Sequence, residues 1–178
     1  LIQPIVKRYN AKVNWHPFNL GFVFRSNNYV LMEEPKAKMR NRKADLNRWA
    51  TFHNLPFKMP DNFPIKTSRA LRAAIASRQW NLEFEFMADM FSAYWEQNTG
   101  TIGEYATLNA IAGKLGINPD KFEAACESAE VKQALIDSTN QALERGVFGA
   151  PSIYLGDELY WGKDRMEFID AQLASFNQ

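Results

Sequence analysis

Apolar residues at positions 1, 2, 5, 6 and 9 of Leu1-Ile-Gln-Pro-Ile-Val-Lys-Arg-Tyr9 recur at helical spacing, so the chain opens on a helix. The period then changes. From Ala11 to Pro17, Val13 and Trp15 alternate with polar neighbours, the pattern of a half-buried strand. Phe18 to Pro35 has no clean period and contains Ser26-Asn-Asn28, so a loop is expected there. From about Lys36 to Arg145 nearly everything reads as helix, clearest over 44–50, 68–75, 83–96, 105–115 and 131–145. The breaks fall at Pro56, Pro60 and Pro64, and at Gly116-Ile-Asn-Pro119, where Pro119 suits the first turn of a new helix. Ser152-Ile-Tyr-Leu155 and Glu158-Leu-Tyr-Trp161 are β-prone runs separated by Gly156-Asp157, the signal of a two-residue hairpin. A last helix follows, with Asp164 and Glu167 spaced as a capping box.

Helix, strand, a long helical block, hairpin and helix is the order of an α/β domain interrupted by a helical insertion. Residues 1–35 and 141–178 fall to the α/β part and 36–140 to the insertion. No internal repeat or low-complexity tract is present.

With 178 residues, 46% hydrophobic and 23% charged, the chain can bury a substantial core. Its formal net charge of +1 supplies no global field for nucleic acid or an anionic membrane, so neither is expected as a partner. The basic run Lys36, Lys38, Arg40, Arg42 and Lys43 reads as a solvated helix face, because aromatic residues are not interleaved with it. No apolar run of about 18 residues could span a bilayer, and no secretion signal opens the chain. A soluble, cytoplasmic protein is expected. The single cysteine, Cys126, allows no internal disulfide and no Cys-x-x-Cys pair. It lies in Phe122–Glu130, which reads as one helix, and is expected to be a small core residue. His16 and His53, the two histidines, are too few for a zinc site or a histidine-based triad. Phe84, Phe86, Phe91, Tyr94 and Trp95 recur at helical spacing and are expected mostly in the core, with some left to wall an apolar pocket.

The pair Val147-Phe-Gly-Ala-Pro151 and Tyr160-Trp-Gly-Lys-Asp-Arg165, at this spacing, resembles the C-terminal signature of the 2-hydroxychromene-2-carboxylate isomerase family. That family is related to kappa-class glutathione transferases. Trp15-His-Pro-Phe-Asn-Leu-Gly-Phe-Val-Phe24, Asp45-Leu-Asn-Arg-Trp-Ala50 and Ala70-Leu-Arg-Ala-Ala74 are similar to further stretches of it, in order. The resemblance implies a thioredoxin-like domain, here 1–35 and 141–178, with a large all-helical insertion, here 36–140. It also implies a first strand and loop carrying a Ser-Pro-type motif, which these residues do not contain; the natural protein is expected to have them and to draw its catalytic serine from there. No catalytic residue is therefore assigned within 1–178.

On the residues alone, Pro151 is a proline at the start of a strand with a trans bond, since cis bonds occupy only about 5–6% of X–Pro positions. The resemblance implies a cis bond instead, with the backbone of Ala150 pairing with the cysteinyl part of glutathione like an added strand. Asp164 needs no ligand to justify it, being placed as a helix cap. The resemblance adds a second role: Trp161, Gly162, Lys163, Asp164 and Arg165 receive the γ-glutamyl end of glutathione. It further implies that Asn28, Lys38 and Lys66 or Thr67 line the cleft for a small aromatic carboxylate substrate. Asn27-Asn28-Tyr29 stands where many relatives show a Gly-Asn pair, so the contacting residue there is open.

The implied reaction is a cis–trans isomerisation of an aromatic ring-cleavage product by reversible addition of the glutathione thiolate, with no metal, flavin or nucleotide. A homodimer is the implied assembly. A kappa-like glutathione transferase, a thiol–disulfide oxidoreductase of the same fold and a non-catalytic glutathione-binding protein are the alternatives.

Overall fold

The structure, a computed structural model, describes residues 1–99 and 101–176. Helix α1, Ile2–Tyr9, ends where Asn10 takes a left-handed conformation at φ 48°. The segment 11–19 is not a strand. Its side chains do alternate, with Val13 and Trp15 half-buried between exposed neighbours and Pro17 buried. Among the described residues, however, no strand runs beside it to complete a ladder.

The expected loop from 18 to 35 contains a helix, α2, Leu20–Ser26. Asn19 starts it: the side-chain oxygen accepts the Phe22 N–H at 3.0 Å. Helix α3, Lys36–Phe52, follows Pro35 and buries none of its 17 residues; Lys36, Lys38, Arg40 and Lys43 are exposed as read, while Arg42 is half-buried against Glu34.

The packed body is α4 (Ser68–Ala76, continued by a 3-10 turn, Ser77–Trp80), α5 (Glu83–Trp95), α6 (Tyr105–Lys114), α7 (Pro119–Cys126) and α8 (Ala129–Glu144). Ala70, Ala73, Ala74 and Ala76 give α4 a face without bulk, and α5, α6, α7 and α8 all pack against α4. Phe86, Leu108, Phe122 and Cys126 fill the space with no exposed surface. Pro119 opens α7 under an Asn118 cap that accepts the Lys121 N–H at 3.0 Å. The single helix expected over Phe122–Glu130 is two: Ser128 accepts the Val131 N–H at 3.2 Å and caps α8 afresh.

Strands β1, Ser152–Leu155, and β2, Glu158–Trp161, form an antiparallel pair in which Leu155 faces Glu158 across the turn. Gly156 takes φ 63° at the first turn position, where a side chain would be strained. Helix α9, Met166–Phe176, and α1 cover the hairpin through a second cluster, Ile5, Tyr160 and Ile169. Within the described residues, no helix is long and apolar enough to cross a membrane.

Candidate functional site

The two-residue turn fixes the hairpin register, and the register decides what sits beside Pro151. Ser152 faces Trp161, and one step further the Gly162 N–H donates to the Pro151 carbonyl at 3.0 Å. The sequence 147–151 and the loop 161–165, separated along the chain by the whole hairpin, are held edge to edge. The Ala150–Pro151 bond is cis, as the resemblance implied; Phe63–Pro64 is cis as well and was not anticipated.

Gly149 is buried against the indole of Trp161, and a Cβ on it would collide with the indole nitrogen. The Ser152 hydroxyl donates to the Gly149 carbonyl at 2.8 Å and steadies the bend. Phe148 and Trp161 meet with ring centroids 5.1 Å apart, and both present a face to solvent next to the exposed Ala150 and Pro151. Gly162 sits at φ 100°, where a Cβ would fall 2.8 Å from Asp164 Oδ1.

Asp164 and Arg165 pair with each other, Arg165 Nη1 lying 2.8 Å from Asp164 Oδ2, and both are partly exposed. Asp164 is not the cap that its spacing predicted. Helix α9 begins one residue later, with the Arg165 carbonyl accepting the N–H groups of Phe168 and Ile169, and the Asp164 carboxylate turns to Arg165 instead. Lys163 points the other way, to α3. Its Nζ lies 4.5 Å from the centroid of the Trp49 ring and 3.8 Å from Asp45 Oδ2.

That contact brings one more candidate into register. Lys38, Arg42, Asp45 and Trp49 stand at i, i+4, i+7 and i+11, one face of α3, so Lys38 is on the stripe that meets Lys163, about 10 Å along the axis from Asp45. Lys38 Nζ is 3.4 Å from Glu34 Oε1, and Arg42 pairs with the same carboxylate. Asn28 is exposed at φ 54°, its N–H donating to Arg25 at the end of α2. No hydrogen bond or ion pair joins it to the 161–165 loop among the described residues.

Lys66 and Thr67 precede α4, where the Thr67 carbonyl accepts the Leu71 N–H. Lys66 lines an open cavity of about 520 Å³ together with Arg69, Arg72, Thr101 and Glu104. Sequence reasoning missed the two arginines, although their spacing of three sets them as neighbours along α4, at the edge of its alanine face. Behind them lies a polar junction. Glu127 accepts from Arg72, from Tyr105 Oη at 2.5 Å, and pairs with Lys132 Nζ at 2.8 Å. The Lys132 hydrogen bond, then that of Tyr105, holds the Glu127 carboxyl down at about 2. Burial, then the bond to Glu127, pushes the Tyr105 hydroxyl up to about 12.

The Cys126 thiol is pushed up to about 12, chiefly by burial, so it stays protonated and unreactive at neutral pH. Of the aromatic series on α5, Phe86 and Tyr94 are buried while Phe84 and Phe91 face solvent. Among the described residues, no group of three or more His, Cys, Asp and Glu side chains could hold a metal ion.

Comparison with known proteins agrees with the motifs. The 2-hydroxychromene-2-carboxylate isomerase of Pseudomonas putida is 29% identical over 150 residues, covering 78% of this chain and 67% of that protein. The enzyme of the same name from Pseudomonas sp. (strain C18) is 30% identical over 135 residues, 75% of this chain and 61% of that one. The chain thus spans under two thirds of the second relative's length and about two thirds of the first's. A solved structure of a selenomethionine 2-hydroxychromene-2-carboxylate isomerase (HCCA isomerase) superposes with a TM-score of 0.85 at 25% identity, over 99% of this chain and 86% of that one. The helical body and two-stranded sheet are therefore a thioredoxin-like α/β fold with its helical insertion, as the resemblance implied. Since residues 2–174 match the DSBA-like thioredoxin domain as a unit, the chain belongs to the DSBA-like thioredoxin domain family.

Proposed function

We propose that this protein is a glutathione-dependent cis–trans isomerase acting on an aromatic ring-cleavage product of the 2-hydroxychromene-2-carboxylate type. The observation that carries the reading is the clamp between Pro151 and Gly162, which sets the Ala150–Pro151 edge beside the Trp161–Arg165 loop. The names of the relatives supply the reaction class.

The residues suit the peptide. The exposed backbone at Ala150 can pair with an extended dipeptide as one more strand. The partly exposed Asp164 carboxylate suits an ammonium group, and the free N–H groups at the start of α9 suit a carboxylate. Trp161 and Phe148 give the apolar wall. Lys163 acts through α3, holding the helix that carries Lys38 against the loop. Glutathione, when bound, supplies a thiol able to add reversibly to a conjugated carbon. On the substrate side, Lys38 exchanges Glu34 for a substrate carboxylate, and Asn28, Lys66 and Thr67 are further contacts in this reading. The proposal includes a homodimer and a cytoplasmic setting, where thiols stay reduced.

Isothermal titration of glutathione into the protein and into Asp164→Ala tests the reading. Binding should weaken about tenfold or more in the variant, the scale of one charge-assisted hydrogen bond. An absence of heat and of thermal shift with the unaltered protein would overturn it.

A further inference from the structure

The cavity at the start of α4 carries charge that the glutathione reading leaves unused. Three cations, Lys66, Arg69 and Arg72, line it against a single carboxylate, Glu104, in a protein whose total charge is only +1. Lys66 is exposed and has no partner among the described residues. Arg69 has no carboxylate partner among them; its guanidinium lies over the Tyr105 ring, 5.2 Å from the centroid. Arg72 spends one nitrogen on Glu127 and Tyr105, while its Nε is buried with no acceptor among the described residues.

The backbone adds to the same field. Helix α4 starts beneath the cavity with no side-chain cap at Thr67 and no acidic residue in its first turn. The space, about 520 Å³, is within the range of small-molecule sites, and Thr101 brings a hydroxyl to its rim.

We propose that this cavity is a binding site for a small oxyanion ligand, a carboxylate or a phosphate, received by Lys66, Arg69 and Arg72. It shares Lys66 with the substrate residues of the proposed function, yet it rests on the cavity's own charges and not on glutathione. Lys66 and Arg69 meet the ligand from the open side. Arg72, fixed by Glu127, adds its charge from the cavity wall.

Calorimetric titration of phthalate and of inorganic phosphate into the whole protein, at constant ionic strength set by sodium chloride, tests the site. Lys66→Gln/Arg69→Gln removes two exposed cations and leaves the Arg72 junction intact, so it keeps the fold. That variant should bind at least about tenfold more weakly, and Glu104→Gln several-fold more tightly. Lys121→Gln, an exposed cation on α7, should bind as the unaltered protein does. Tighter binding of phthalate assigns an organic carboxylate; tighter binding of phosphate assigns a phosphate. No saturable binding of either, or equal binding by the double variant, overturns the proposal. Glutathione affinity of the double variant should be unchanged, which separates a failure here from a failure of the glutathione reading.

Discussion

The helical body and the hairpin layer are built to different standards. In the body, α4 to α8 enclose Phe86 and Phe122, whose rings meet at 5.0 Å with no surface exposed. In the layer, α1, the hairpin and α9 share only Ile5, Tyr160 and Ile169 as buried residues, while Phe148, Trp161 and Phe168 face solvent. Stability is vested in the first region, and the proposed glutathione site lies in the second. If glutathione binds there as proposed, the edge beside Pro151 and Trp161 has to stay open and cannot be closed around its own aromatics.

The largest effect should come from breaking the body. Phe122→Ala removes a fully buried ring that also touches Trp80, and should lower the unfolding free energy by about 3–5 kcal/mol in urea denaturation. Phe148→Ala, a ring of the same size with 46% of its surface exposed, should cost well under half of that. Equal losses for the two would erase the distinction between the regions.

How much of this was legible follows the range of each signal. The helices of the body announced themselves because burial against several neighbours imposes the 3.6 period along the chain. Helix α2 has seven residues, too few for a period, and only the cap at Asn19 betrays it. The strand expected at Val13 and Trp15 shows the opposite failure: alternation reports which side is covered, whereas a ladder also needs a neighbour. The same limit applies at Ser128, where one hydroxyl divides what a periodic pattern runs together. In the site, the meeting of Pro151 and Gly162 could be foreseen, because a two-residue turn fixes the register of every pair beyond it. Arg69 and Arg72 were visible only as neighbours along a helix. The approach of Lys163 to Asp45 and Trp49 was not legible, since no local pattern records which distant helix a lysine will cross.

A smaller effect lies at a polar junction of the body, where α4, α6 and α8 converge on Glu127. Its carboxyl is held at about 2, below the ordinary 4.5, so its contribution is complete above about 4.5 and is lost as pH falls through about 2. Glu127→Gln should therefore be less stable than the unaltered protein at neutral pH, and the two urea midpoints should converge as pH falls from 4.5 towards 2. With 39% of the side chain exposed, water screens the pairs and the neutral-pH deficit should stay near about 1 kcal/mol. A deficit that persists unchanged below pH 2 would mean that Glu127 acts by shape and not by charge.

The smallest change in stability should come from Lys163→Ala, and it bears most directly on how the two regions are joined. Helix α3 buries no residue, so little apolar packing ties it down. Its hold on the hairpin layer is the Lys163 contact to Trp49 and Asp45, and its hold on the chain before it is Glu34 with Lys38 and Arg42. The Lys163 ammonium is itself partly exposed, and a cation over a ring at such a site is worth about 0.5–1 kcal/mol, so global unfolding should shift by no more than that. Local opening is a different quantity. Hydrogen exchange of the α3 amides should quicken several-fold in Lys163→Ala while α4 to α8 exchange as before, and Lys163→Arg, which keeps the cation, should restore the slower rates. Unchanged α3 exchange in the alanine variant would place the anchor at Glu34, and the helix carrying Lys38 would then belong with the loop before it and not with the glycine-turned loop that follows β2.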